Sequence, residues 1–475
     1  MDFNQLVLTV NGFLADKLLV FALVGVGLWF SINLGFIQVR GFGEAWKKTF
    51  GGMFKKSDKA GADGMSSFQA LATAIAAQVG TGNLAGAATA IAVGGPGAIF
   101  WMWVSAFLGM STIYAEALMA QKYKQVGDDG TVTGGPAYYI RAAFPNGFGK
   151  VLAVIFSVLI TLALGFMGNA VQANSIGDAF KTAFGINPMI VGVIVAVIAL
   201  FVFMGGIGRI ASLTEKIVPI MAAFYIIGAL IVIIANGKFI IPAVQSIFVG
   251  AFAPQAVFGG AFGYVISKAL SKGVARGLFS NEAGMGSTPH AHAVAKVDHP
   301  AEQGYVAMMG VFIDTFVILT LTALVILTSH LAAGGATGGG LLAVYDGAGN
   351  IISGFTGTAL TQAGFSLVFG KFGEIFIAIC MFFFAFSTII GWYFFGEANI
   401  KYLFGSKAVK VYAVIVALCI IGGSAQKVDL IWNMSDCFNS AMVIPNVIAL
   451  VALTKVVKDV HKDYVENFKP NHKEK

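Results

Sequence analysis

The sequence predicts an all-α integral membrane protein of about eleven transmembrane helices. Three observations predict it: the share of apolar residues, the recurrence of apolar runs long enough to span a bilayer, and the sorting of basic residues among the connections. Of 475 residues, 57% are hydrophobic and only 11% are charged, too apolar a balance for the surface of two or three soluble domains. A hydrocarbon core about 30 Å thick takes roughly 20 helical residues to cross, and runs of that length recur along the chain. The 60 glycines then read as close helix contacts and helix breaks rather than loops.

Apolar periodicity places spans at 16–38, 67–93, 98–122, 150–172, 187–206, 213–236, 254–277, 304–330, 372–396, 408–425 and 429–454. The first of these follows Asp2 and Asp16 rather than a basic stretch, so it is expected to stay in the mature chain and not to act as a cleaved signal. Cys380, Cys419 and Cys437 fall in separate apolar segments, which suits reduced packing residues.

Orientation comes from charge. The connection after the first span carries Arg40, Lys47, Lys48, Lys55, Lys56 and Lys59, which by the positive-inside bias makes it cytoplasmic and the amino end external. Alternating from there leaves Lys17, Lys181, Lys238, Lys371 and Lys427 outside and the other basic residues inside, among them those of the tail from Lys455 to Lys475. The long external connection 331–370 has neither Lys nor Arg. This topology accounts for the net charge of +7 better than nucleic-acid binding does, because the basic residues lie in loops and not on one amphipathic face.

Four stretches follow: an amino-terminal helix with a basic cytoplasmic loop (1–66), a first group of five spans (67–236), a second group of five (254–454), and a basic cytoplasmic tail (455–475). Five is odd, so the two groups begin on opposite sides, as in inverted-repeat transporters. Each leading span holds a glycine-rich interruption. The first reads Ala76-Ala77-Gln78-Val79-Gly80-Thr81-Gly82-Asn83; the second carries Gly259-Gly260-Ala261-Phe262-Gly263. An unwound turn in hydrocarbon leaves N–H and C=O groups that cost several kcal/mol each, on the order given for unpaired amides, unless something binds them. A carboxylate at the N–H end and a cation at the C=O end would satisfy both. Glycines used as plain packing notches are the competing reading, especially at 259–263. A dinucleotide-binding loop is excluded, since the third glycine stands at 86 rather than 85 and no strand precedes it.

The run Gly80-Thr81-Gly82-Asn83, with Gly94-Gly95-Pro96-Gly97, Gly134-Gly135-Pro136 and above all Gly277-Leu278-Phe279-Ser280-Asn281-Glu282-Ala283-Gly284-Met285-Gly286-Ser287, resembles the alanine or glycine:cation symporter family from about residue 16 to 455. The resemblance implies a leucine-transporter-like 5+5 core with discontinuous helices plus one extra amino-terminal helix. It also implies symport of alanine or a similarly small amino acid with Na⁺ across the cell membrane, with no organic cofactor.

On that footing the amides of Thr81, Gly82 and Asn83, beside Gln78, are expected to take the substrate carboxylate, and carbonyls around Gly259, Gly260, Phe262 and Gly263 its ammonium. Gly165, Asn169 and Gln172 would line the same cavity or bond between helices. The resemblance puts Na⁺ among the carbonyls of Ala76, Val79 and Phe384 and the hydroxyls of Ser387 and Thr388; the spacing of the last three brings them onto one helix face. Asp314, deep in the eighth span, is expected as a cation ligand, a proton carrier or a neutral packing residue. Asp436 reads as a gate or an interfacial residue. Glu116, Lys268, Lys272 and Glu397 read as snorkelling near cytoplasmic ends.

The segment 280–287 reads as a cytoplasmic turn with Asn281 and Glu282 capping a helix, and His290, His292 and His299 as loop residues without metal-site spacing. An intramembrane enzyme would need a nucleophile and base at membrane depth, which these positions do not offer. An H⁺-coupled carrier and a passive channel remain as rivals.

Overall fold

The computed structural model describes residues 9–51, 64–126, 130–252, 262–335, 340–345, 351–426 and 428–471. Among them, regular structure is almost wholly helical, with three small two-stranded ladders. Among the described residues, seven helical stretches have the length and composition to cross a bilayer: Gly97–Lys122, Gly147–Phe184, Gly206–Ala235, Pro300–Ala332, Lys371–Phe404, Ser406–Ser424 and Trp432–Ala452. Shorter apolar helices include Val20–Asn33, Gly82–Gly94, Pro188–Phe203 and Gly237–Phe252. Their outward faces are apolar, as at Val197, Phe201, Ile220 and Ile234, each more than half exposed, which suits lipid.

Helix α1 (Val20–Asn33) leads to a short amphipathic helix α2 (Phe42–Phe50), where the basic loop was expected. The first broken helix consists of α3 (Ser67–Gln78), an unwound turn, a π-helical turn over Gly82–Gly86, and α4 (Ala87–Gly94). A capping box starts α3: the Ser66 hydroxyl accepts from the Gln69 amide while the Gln69 side chain accepts from Ser66 N–H. Then come α5 (Gly97–Lys122), α6 (Pro136–Ala143), α7 (Gly147–Phe184), α8 (Pro188–Phe203) and α9 (Gly206–Ala235). The fourth span therefore extends well beyond its expected 150–172. A π turn at Thr161–Gly168 carries the helix on without a break.

Beyond α9, α10 (Ile240–Phe252) is a helix where hydropathy suggested only a connection, and it packs so closely on α5 that Gly97 and Gly250 meet backbone to backbone. Next come α11 (Phe262–Asn281), a turn, α12 (Pro289–Ala293), and α13 (Pro300–Ala332), which has a π turn at Phe312–Leu319. The expected external connection 331–370 contains α14 (Gly357–Phe369). The chain ends with α15 (Lys371–Phe404), α16 (Val409–Ser424), α17 (Val428–Ala452) and a tail helix α18 (Thr454–Asp463). Cys380, Cys419 and Cys437 are free thiols.

Two landmarks define the sides. Trp29 Nε1 donates to Thr454 Oγ1, so the end of α1 and the tail share one side. That same side carries a parallel ladder, β1 (Met65–Ser66) with β2 (Ala295–Lys296), joining the start of α3 to the strand after α12. On the far side a separate apolar cluster of α4, α5, α10, α13 and α14 holds Ile91, Met102, Ile247, Ile326 and Leu360.

Helix α11 begins on that far side, where Lys272 and Ala269 pack at Gly94, and ends level with the first break, where Ser280 lies 3.0 Å from the position a Gly82 Cβ would occupy. It therefore stops part-way. This corrects two expectations. Lys272 stands at the far end, not near the tail side, because the span read as a full crossing reaches only as far as Asn281. The second discontinuity is the turn after Asn281, in a segment whose polarity reads as a cytoplasmic loop.

Candidate substrate and cation site

The geometry of the site starts from where α3 stops. Val79 leaves helical geometry at φ −83°, ψ 87°, so the last carbonyls of α3 have no intrahelical partners and carry the negative end of its dipole. Across from them, α15 presents Ser387 and Thr388. The Thr388 hydroxyl lies 2.9 Å from Ala76 O, 3.0 Å from Phe384 O and 3.5 Å from Val79 O; the Ser387 hydroxyl lies 2.9 Å from Phe384 O and 3.3 Å from Ala76 O. All five groups that the resemblance named for Na⁺ thus converge. A hydroxyl has a single proton and cannot donate to three carbonyls at once, so the cluster is richer in lone pairs than in donors. Neutral, hard oxygen donors of this kind suit an alkali cation.

One turn on, Gly80 N–H donates to Asn83 Oδ1 (3.0 Å) and Thr81 N–H to Gln172 Oε1 (3.2 Å). Gly80 has no room for a side chain: a Cβ would lie 2.3 Å from Thr388 Oγ1. The break and the five-oxygen cluster therefore share a wall. Asn83, fully buried, also donates through Nδ2 to Asp314 Oδ1 at 2.6 Å and to Asp314 O at 3.2 Å.

Asp314 sits in the π turn of α13 and is fully buried. Its carboxylate accepts from Ser280 Oγ (2.9 and 3.1 Å) and Thr315 Oγ1 (2.8 Å) as well as Asn83. The hydrogen bonds that reach it come from neutral groups. Gln78 Nε2 donates to Asn281 O at 2.7 Å, closing a ring between the two discontinuous helices.

The turn after Asn281 is pinned by two further buried carboxylates. Glu282 adopts φ 59°, costly for a residue with a Cβ, and accepts from Trp392 Nε1 and Ser287 Oγ at 2.5 Å each. Glu116, from α5, accepts Gly284 N–H and Gly286 N–H at 2.9 Å each and Asn446 Nδ2 at 2.6 Å. It is wholly buried and holds the unwound backbone instead of snorkelling. Asn281 accepts from Ala283 N–H, as expected of a cap, but Glu282 is a bridge to α15 and not a cap. His290 and His292 are buried on α12, while His299 caps α13 by accepting from Ala301 N–H.

Four expected site positions fall elsewhere, and two more, Gly259 and Gly260, lie outside the described residues. Phe262 and Gly263 open α11, and at 1.5 Å per residue Gly263 is about 25 Å along the helix from Ser280, too far to share a ligand with Thr81. Gly165 faces Tyr412, whose hydroxyl would be 2.5 Å from a Cβ there, and Asn169 donates back to Gly165 O in its own helix. Of that trio, Gln172 alone bonds to the break.

The residues the sequence reading missed are Ser280, Asn281, Glu282 and Glu116. A signal was present: Ser280-Asn281-Glu282-Ala283-Gly284-Met285-Gly286-Ser287 is more polar than 259–263 and alternates glycines in the way an unwound turn needs.

Comparison with known proteins bears on this arrangement. The model of the sodium:alanine symporter family matches residues 1–475. The chain is 42% identical to the sodium/alanine symporter AgcS of Methanococcus maripaludis, over 98% of each protein. It is 40% identical to the probable sodium/glutamine symporter GlnT of Bacillus subtilis, over 97% of this chain and 90% of that one. The crystal structure of MhsT with L-phenylalanine shares the fold at a TM-score of 0.55 and 13% identity, covering 82% of this chain and 98% of MhsT.

Proposed function

The chain belongs to the sodium:alanine symporter family, a family of membrane transporters and not enzymes, and on that premise we propose that it carries alanine or a similarly small amino acid into the cell with Na⁺ by alternating access. The observation that carries the reading is the convergence of Ala76, Val79, Phe384, Ser387 and Thr388 at the C-terminal end of α3. In this reading Na⁺ sits among those oxygens. The substrate carboxylate takes the Thr81 to Asn83 amides with Gln172 giving way, and Ser280, Asn281 and Asp314 stand on the ammonium side in place of 259–263.

Cation and substrate then share the turn at Gly80, so ordering it for one lowers the cost of binding the other. The layout we propose is one leading helix plus two oppositely oriented groups of five, with the tail side cytoplasmic and the amino end outside. The ladder between Met65–Ser66 and Ala295–Lys296 supports it by pairing the start of the first broken helix with the end of the second, as opposite orientations require. The relatives named for alanine and for glutamine leave side-chain preference to be measured.

The full burial of Asp314, bonded to Asn83, Ser280 and Thr315, favours a second reading, H⁺ coupling through that carboxyl. The test is uptake of labelled alanine, glycine, serine and glutamine into proteoliposomes with imposed Na⁺ or H⁺ gradients. Accumulation driven by Na⁺ and lost in Thr388→Ala is expected. Accumulation that follows the H⁺ gradient alone would transfer coupling to Asp314, and equilibration without accumulation would mean a passive channel.

A further inference from the structure

A cavity of about 230 Å³ opens on the tail side, between α12, the start of α9, the hairpin strand at Val132–Thr133 and the end of α15. Thr133, Tyr138, His290, Phe394, Glu397 and Lys401 are among its walls. It is separate from the five-oxygen cluster yet only one short helix removed from Ser287, which bonds to Glu282 beside the second break.

Its charges are one of each sign. Lys401 Nζ lies 2.6 Å from Glu397 Oε1. His290 adds no charge to the wall by its bonding: Nδ1 faces Ser287 O at 2.7 Å and must hold the proton, while Nε2 accepts from Asn399 Nδ2 at 2.8 Å. An i,i+4 pair on a helix is ordinarily a solvated surface feature. Here the Glu397 side chain is only 7% exposed, and beyond Lys401 its neighbour is the buried Tyr393 hydroxyl one turn back on the same helix. A carboxylate can accept about four hydrogen bonds, so two neighbours leave it capacity for a ligand's donors from the cavity. Lys401, 40% exposed, can swing toward an anion without leaving the cavity mouth.

We propose that this cavity is a second station for the transported amino acid on the tail side, with Glu397 receiving the ammonium and Lys401 the carboxylate. A simple cation or anion would answer one charge and strand the other, whereas a zwitterion answers both. The volume is below the roughly 300–1,000 Å³ of drug-sized sites and fits a small amino acid. The station rests on the reading of the chain as an amino-acid carrier. It would hold substrate released past α12 before it leaves the protein.

The test compares the parent with Glu397→Gln, Lys401→Gln and the double variant. Two quantities are read: Na⁺-dependent alanine binding to purified protein, and alanine–alanine exchange measured from the tail side of oriented proteoliposomes. Binding within about 2-fold of the parent with at least a 5-fold higher tail-side KM in all three variants is expected. A double variant that exchanges like the parent would overturn the station, since a purely structural pair tolerates being replaced by two hydrogen-bonding amides. Where a variant does not fold, Ala398→Cys, also on the cavity wall, is reacted with an impermeant thiol reagent from the tail side in Na⁺-free buffer. Alanine should slow that reaction more than acetate or methylamine does, and no protection by alanine overturns the station. A parent that neither binds nor transports any small amino acid would instead refute the carrier reading itself.

Discussion

Asn83 and Asp314 are joined across 2.6 Å, and that bond ties the π turn just past the first break to the π turn of α13. Asn83 is held from its other end by Gly80 N–H, so it cannot reorient without disturbing the break. Asp314→Asn keeps the size but removes the charge and turns one acceptor oxygen into a donor, so Ser280, Thr315 and Asn83 share a single oxygen unless a hydroxyl turns to accept. Expression and melting temperature should change little, while initial uptake should fall at least about 10-fold, equivalent to roughly 1.4 kcal/mol. Unchanged uptake in proteoliposomes would remove Asp314 from the transport machinery.

Gly80 and Gly86 belong to the same broken helix and should answer differently to alanine. At Gly80 the new Cβ would meet Thr388 Oγ1 at 2.3 Å and Thr388 Cβ at 3.1 Å, in a wall with no slack. At Gly86 the nearest atom is Thr81 O at 3.8 Å, ordinary contact. Gly80→Ala should abolish Na⁺-stimulated alanine binding, and Gly86→Ala should retain it within about 2-fold while gaining a few tenths of a kcal/mol from helix propensity. Titration calorimetry with and without Na⁺ separates the two outcomes.

The contrast between the two broken helices shows what the sequence could and could not disclose. Gly80-Thr81-Gly82 stands alone in an apolar run, and the break falls there because the residues that interrupt the run also unwind it. Near residue 280 the same polarity pointed the wrong way. Hydropathy treats a polar stretch as a loop, and Glu116, Asn446 and Trp392, which make burial of 280–287 tolerable by bonding to its backbone and to Glu282, come from distant segments whose convergence no local pattern encodes. Glycine content favours 259–263 as a break because it says nothing of the partners an unwound turn needs. Gly165 misled for a related reason: it is a notch for Tyr412, and a notch and a cavity wall have the same composition.

Arg276 stands one turn before Ser280 on α11, toward the far side, and meets Asp436 of α17 through two bonds of 3.0 and 2.8 Å. Its guanidinium also lies over the Trp432 ring, 4.6 Å from the centroid. The pair spans two helices immediately beyond the proposed substrate position, where a barrier to the far side has to stand. Lysine keeps the charge but loses the bidentate fork and the planar stacking. Arg276→Lys should therefore lower the uptake rate several-fold with little change in alanine affinity. The exchange Arg276→Asp with Asp436→Arg should recover part of it. Rates equal to the parent in Arg276→Lys and in Arg276→Asp alone would make the pair merely structural.

The tail offers a prediction in pH. Glu44 on α2 accepts Tyr464 O–H at 2.8 Å and Lys469 Nζ at 2.6 Å, and Asp463 faces His299 Nε2 at 3.2 Å, so the tail is strapped to α2 and to the start of α13. Burial acts to raise the Glu44 carboxyl, but the bonds from Lys469 and Tyr464 outweigh it and hold its pKa below the ordinary 4.5. Bonds from Asn467 and His299 likewise hold Asp463 below the ordinary 3.8. Carboxyls depressed in the docked state stabilise docking fully above their free values, and that contribution drains away as pH falls through the docked ones. Amide exchange at 464–469 should thus be flat from pH 7 to 5, after correction for intrinsic rates, and accelerate below about 4.5, the free glutamate value. In Glu44→Gln the segment should already exchange faster at pH 7, with a weaker acid response. Equal protection of parent and variant at every pH would mean that the aromatic stack of Tyr464 with His299, Tyr305 and Phe468 holds the tail without help from Glu44.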